Sequence, residues 1–344
     1  MLLVLSTAVS LSLVEGLTRF YLRFFKPNIM ILDEEIGWTN RPNAYRTYEV
    51  EGHVAAVETN ELGLRGTVYR GAPTNPRILF LGDSFAAGME VSNDELFSEL
   101  LDRSHPDVDV VNGGIAGYGT LQHIMQARRL EPIVQPDHYV LMVFPNDLTD
   151  NIIPFSDGIG PRPYVSPEGD FRAIDWEPFD PLLLPVPFAR WCHRNSQVAY
   201  LIRNRFWFPM RKEQLGVYVA DRGAAVEAEG KWQLLEALVG EFAEGREVTV
   251  LGLPRRETAQ TVSEFSQRLR QVAERVGVRF VDLHPVLRAE HFYERDIHWN
   301  AAGHRAVAEH LSTLVNSGLL GAADVARMPF RVVKKTQPWP PPTS

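Results

Sequence analysis

Residues 77–88 read RILFLGDSFAAG. Ile78 to Leu81 form a continuous apolar run, the length of a strand covered on both faces. The run stops at Gly82-Asp83-Ser84 and small residues follow. A hydroxyl at that point either helps the chain turn or stands as a nucleophile at a helix start. The rest of the chain decides between the two.

Working outward, the same kind of run recurs at VDVVN (108–112), HYVLMVF (138–144), EVTVLGLP (247–254) and VRFVDLH (278–284). Between these lie segments with helical spacing: 93–103, 120–134, 231–245, 258–277 and 300–318, the last with Asn300 as cap and Gly318 as stop. Strands alternating with helices predict a parallel sheet with right-handed crossovers and helices on both faces. Ligands of such sheets sit beyond the carboxyl ends of the strands.

Flanking regions depart from this rhythm. Residues 1–26 begin MLLVLSTAVSLSLV and carry Glu15, Arg19 and Arg23, which reads as an N-terminal helix serving as a membrane anchor or signal-like segment. Residues 27–76 form an extension in which RTYEV (46–50), Gly52 and VAAVETN (54–60) pair as a hairpin. Residues 150–228, centred on WEPFDPLLLPVPFARW, are rich in Pro and aromatics and read as an insertion after the third strand. The tail, 319–344, ends TQPWPPPTS.

Composition narrows the function. With 35 Lys and Arg against 43 Asp and Glu, and no basic block, a nucleic-acid groove is not expected. Cys192 stands alone, so neither an intramolecular disulfide nor a cysteine metal site can form. GGIAGYG (113–119) lacks dinucleotide-fingerprint spacing, and His284, His291, His298 and His304 do not fit a metal-ligand pattern. No cofactor or metal is expected.

Three loops of the expected carboxyl face carry chemistry. Ser84 follows the first strand, the glycine-rich NGGIAGYGT (112–120) the second, and Asn146 the third. Far downstream, ERDIHWN (294–300) precedes the final helix and places Asp296 two residues before His298, on one side of an extended segment. A serine needs a base to become nucleophilic, and His298 can act as one. That base needs a carboxylate to fix its tautomer, which Asp296 can supply. The N–H groups of Ser84 and Gly117 and the amide of Asn146 can face an oxyanion.

These blocks resemble the SGNH hydrolases, the GDSL esterase/lipase superfamily. GDSF matches the first block with Phe85 for the usual Leu, and NGGIAGYGT the second, with Gly117 as its oxyanion glycine. FPNDLTDN (144–151) resembles the third with Phe144 for glycine, and DIHWNAAGH (296–304) the fifth. The family usually has Asp three residues before its His, where this chain has Arg295. The Asp-x-His-Trp spacing resembles membrane-linked members that acetylate exopolysaccharides such as alginate.

The resemblance implies an α/β, flavodoxin-like three-layer sandwich of about five parallel strands over 77–318. It also implies a serine esterase acting on an O-acylated carbohydrate or lipid through an acyl-enzyme. Two other functions fit the same blocks: O-acetylation of an envelope polysaccharide, and glycan binding or assembly without catalysis. The expected partners are an ester substrate and, through the N-terminal segment, a membrane, with the catalytic domain extracytoplasmic.

Overall fold

In the computed structural model, residues 2–24, 29–67, 74–156, 159–174, 196–202, 206 and 226–320 are described. The centre of the expected insertion, Cys192 and nearly all of the tail lie outside these residues. The central sheet has five parallel strands: β5 (Arg77–Leu81), β6 (Asp109–Asn112), β7 (His138–Val143), β12 (Val248–Gly252) and β13 (Arg279–Asp282). Their spatial order is β13-β12-β7-β5-β6. That is the flavodoxin order, and its direction of winding reverses beside β5, between β6 and β7.

Strand side chains alternate between two cores, as the pleat requires. Ile78, Phe80, Val140, Met142 and Leu251 face one, with Phe97 and Leu101 of α3 (Phe97–Ser104) and Val307 and Leu311 of α9 (Ala301–Asn316). Leu79, Leu81, Leu141, Val143 and Val250 face the other. There they meet α4 (Thr120–Val134), α7 (Ala228–Ala243) and α8 (Glu264–Val276). Both cores are apolar because both sheet faces are covered, which explains why the strands read as unbroken apolar runs.

The helix expected from Asn93 begins later. Glu95 Oε2 accepts the Ser92 N–H at 3.0 Å across a 3₁₀ turn at Asn93–Glu95, and Leu96 is extended (φ −68°, ψ 134°) before α3 starts. Likewise α8 starts at Glu264, because the Ser263 side chain accepts from Ser266 N and caps it.

The extension builds two antiparallel pairs, β1 (Met30–Asp33) with β2 (Gly37–Asn40) and β3 (Tyr45–Val50) with β4 (His53–Glu58). After the third strand come two small pairs, β8 (Phe155–Ser156) with β9 (Gly160–Pro161) and β10 (Tyr164–Val165) with β11 (Phe171–Arg172). The N-terminal segment is helical, α1 (Leu2–Phe24), and Glu15 accepts from Ser196 Oγ and Val198 N at the start of α6 (Gln197–Ile202). Among the described residues no helix is long and apolar enough to cross a membrane, α1 included. Leu5, Val9, Leu13, Leu17 and Phe20 of α1 are nevertheless exposed.

Candidate active site

Beyond β5 the chain turns straight into α2 (Ser84–Ala87), with Ser84 as its first residue. The preceding Asp83 is the cap: its Oδ1 accepts the Phe85 N–H at 3.0 Å. The Ser84 hydroxyl is thereby spared from capping. Gly114 allows this helix to lie against the next loop, since a Cβ there would stand 2.5 Å from Ala86 Cβ. Gly88 closes the turn in the left-handed region (φ 55°), and its N–H donates to Ser84 O.

Across the sheet edge, Asn300 caps α9 and its side chain ties back to Glu290 O and Phe292 O. The fully buried Trp299 packs on Phe85, and Phe85 also contacts Phe144 and His298. This aromatic wedge brings residues 214 apart in sequence together: His298 Nε2 lies 2.7 Å from Ser84 Oγ. His298 Nδ1 lies 2.5 Å from Asp296 Oδ1, which also accepts the His298 backbone N–H at 2.9 Å. A carboxylate only accepts, so Nδ1 carries the proton and Nε2 faces the hydroxyl.

Burial alone would lower the His298 pKa, but the Asp296 hydrogen bond and the charges of Glu90, Asp296 and Asp83 outweigh it and raise it. Asp296 is held below the usual carboxylate value, chiefly by its bond to His298.

Among the described residues the backbone N–H groups of Ser84 and Gly117 have no backbone acceptor outside regular elements. Gly117 has φ 78°, a left-handed backbone conformation that favours glycine. Asn146 starts the short helix α5 (Asp147–Asp150). Its Nδ2 donates to Asp150 Oδ2 at 2.7 Å, while its Oδ1 is buried without a partner.

Three buried carboxyls hold this loop. Asp147 accepts from Phe144 N and Thr120 Oγ1. Asp150 pairs with the buried Arg162 at 3.2 Å, whose guanidinium lies over the Trp38 ring. Burial lifts Asp83 to about 6, and burial together with the neighbouring Asp83 and Asp150 charges lifts Asp147 well above its usual value.

The structure thus brings Ser84, His298 and Asp296 into one hydrogen-bonded chain. Gly117 and Asn146 stand on loops of the same sheet edge. Other polar groups at the site had no signal in the sequence. Glu90 Oε1 lies 3.4 Å from His298 Nδ1, and its Oε2 is buried without a partner. Burial raises the Glu90 pKa. Glu90, Asp296 and His298 are the one trio of potential metal ligands among the described residues, yet both His298 nitrogens are already engaged by Asp296 and Ser84. Arg65, in the NELGLRG stretch, is buried and donates to the carbonyls of Ala87, Gly88 and Val91, fastening the far end of α2.

A second grouping of the same three residue types lies beyond β12 and β13. Ser263 Oγ is 2.8 Å from His284 Nε2, and His284 Nδ1 is 2.6 Å from Asp282 Oδ1. His304, by contrast, stacks on Phe97 within the core.

The sheet has the flavodoxin order, and the residue blocks at its carboxyl edge are those that resemble the SGNH hydrolases. Residues 242–338 match the family described as "SGNH hydrolase-like domain, acetyltransferase AlgX". Similar solved structures include the esterase EstA from Pseudoalteromonas sp. (12% identity, 71% of this chain and 99% of that one, TM-score 0.40). A catalytic mutant of the acetylxylan esterase Axe2 from Geobacillus stearothermophilus is similar at 17% identity, over 72% and 96% of the two chains, with TM-score 0.38. The aryl esterase of M. smegmatis is similar at 14% identity, over 70% and 99%, with TM-score 0.39. No curated protein matches the chain.

Proposed function

We propose that this protein is a serine esterase or acyltransferase that works through an acyl-enzyme. His298 Nε2 takes the Ser84 proton as Oγ attacks an ester carbonyl. The tetrahedral oxyanion is held by the N–H groups of Ser84 and Gly117 and by the Asn146 amide N–H not bonded to Asp150. Collapse breaks the bond to the alcohol, which leaves with the proton from His298. Water, or the hydroxyl of an acceptor, then attacks acyl-Ser84 with His298 again as base. Asp296 keeps the imidazole in the required tautomer and stabilises it when cationic. No metal or cofactor enters this chemistry.

The observation that carries this reading is the unbroken hydrogen-bonded chain Ser84–His298–Asp296. The proposed unit spans 77–318, with residues 1–26, 27–76 and 319–344 as flanking parts. The proposed substrate is an O-acylated carbohydrate or lipid. The match to an acetyltransferase family favours acetyl transfer as the second reading, with an envelope polysaccharide as the proposed acceptor. The exposed apolar side chains of α1 support attachment to a lipid surface, and the catalytic unit is proposed as extracytoplasmic.

The test is turnover of an aryl acetate, with and without glycan acceptors, alongside labelling by a fluorophosphonate. Ser84→Ala is expected to abolish both turnover and labelling. Unchanged turnover in that variant overturns the assignment, and glycan binding by an unlabelled wild-type protein points to the non-catalytic function.

A further inference from the structure

We propose that Glu51, at the tip of the N-terminal hairpin, is a positioning residue that holds the loop carrying Asp296 and His298. This deepens the reading above and rests on it. The Glu51 carboxylate accepts three consecutive backbone N–H groups: Glu294 at 2.9 Å on Oε2, and Arg295 at 2.6 Å and Asp296 at 3.0 Å on Oε1. Successive N–H groups that converge in this way form a concavity suited to an anion. Here the anion is a side chain from more than 240 residues upstream. Asp296 is fixed through its own N–H by Glu51, and its carboxylate in turn fixes His298. The chain of bonds therefore runs from the hairpin to Ser84.

A second observation points the same way. Val50 pairs with His53, so Glu51 and Gly52 form a two-residue hairpin turn. Both have positive φ, 50° and 84°. Asn-Gly is the favoured pair for such a turn, because Asn tolerates the left-handed region far better than Glu does. The chain bears this local cost while presenting a carboxylate to the catalytic loop, and strain of that kind collects where function requires a side chain. The hairpin is also anchored, as a positioning element must be. His53 Nε2 is 3.1 Å from Glu95 Oε2, Ala56 N donates to Ser92 Oγ, and Glu58 N donates to Asn93 Oδ1.

Glu51→Asn separates the two roles of the position. Asn suits the turn better but is shorter and uncharged. The melting temperature is expected to stay level or rise, while kcat on an aryl acetate falls about 10- to 100-fold with KM nearly unchanged, as expected when a catalytic group loses its alignment. Glu51→Gln keeps the length and an accepting oxygen, and its loss is expected to be smaller.

A readout independent of turnover is the low-field proton resonance of His298 Nδ1–H, expected to weaken or broaden in Glu51→Asn. Unchanged kcat and resonance in Glu51→Asn overturn the proposal, as does a kcat loss that only tracks a fall in melting temperature. Failure of the wild-type protein to be phosphonylated at Ser84 instead breaks the triad reading, and the resonance still reports on Glu51.

Discussion

Ser84, His298 and Asp296 form one hydrogen-bonded chain beyond the carboxyl edge of the sheet, and Ser263, His284 and Asp282 form another. Both have Asp two residues before His, and their distances agree within about 0.1 Å. Their surroundings differ. Ser84 is the first residue of its helix and its hydroxyl is spared by the Asp83 cap, whereas Ser263 is itself the cap and accepts the Ser266 N–H at 3.1 Å. Asp282 also takes the Ser266 hydroxyl at 2.5 Å, locking β13 to α8. The His298 side chain keeps 16% of its exposure and His284 only 2%. Three side chains at the right distances are therefore not enough to make an active site. A nucleophile needs a hydroxyl free of structural duty, an open imidazole, and donors without partners where the oxyanion forms.

The sharpest way to break this comparison is a pair of alanine substitutions. Ser84→Ala is expected to lower kcat by about 10⁴-fold or more, and Ser263→Ala to leave it unchanged. Mass-mapped fluorophosphonate labelling should mark Ser84 and leave Ser263 bare. If both serines are labelled, the contrast drawn from capping fails.

Next in size, Asp296→Asn is expected to lower kcat by about 10³- to 10⁴-fold by favouring the wrong imidazole tautomer. Steady-state kinetics on purified, folded protein checks this.

Glu90→Gln tests the second carboxylate near His298, which has no counterpart within ion-pair distance of His284 among the described residues. In the proposed mechanism the base is deprotonated His298, whose pKa is raised above the ordinary imidazole value of about 6.5. In the wild type, kcat/KM should therefore rise with pH through a midpoint above that value. Removing the Glu90 charge should move the midpoint down and lower the plateau by about tenfold. A midpoint that does not move shows that Glu90 exerts no charge effect on the base.

The smallest effect separates the roles of the two serines. Ser263→Ala removes a helix cap and leaves the buried His284 Nε2 without its partner, at an expected cost of about 1–2 kcal/mol. Denaturant or thermal unfolding measures it. No loss of stability would mean that the second grouping is not the lock described here.

Much of the fold was legible locally. RILFL, DVVN and HYVLMV are short apolar runs flanked by helical spacing, and each became a strand buried on both faces. Asn300 and Ser263 show how local rules differ in reach. Asn300 announced its helix start by type and position, whereas the start of α8 depended on which serine or threonine in 258–263 reached a free N–H.

Candidate site residues were readable because strand ends in a parallel sheet share one edge, so Ser84, Gly117 and Asn146 could be placed together before any contact was known. Glu51, Arg65 and Glu90 could not. Each acts through backbone groups or through the imidazole across long sequence separations, and nothing in the residues near them marks the partner.

By itself the sequence determined the strand–helix alternation, the parallel sheet and the residue types at its carboxyl edge, because burial pattern and capping act over a few neighbouring residues. Tertiary structure alone decided in which of two Ser–His–Asp sets the imidazole stays open and the serine is spared from capping. It also decided that a hairpin in the N-terminal extension grips the loop bearing the base. Those properties depend on which buried polar groups already have partners, and such pairing exists only once distant segments have packed.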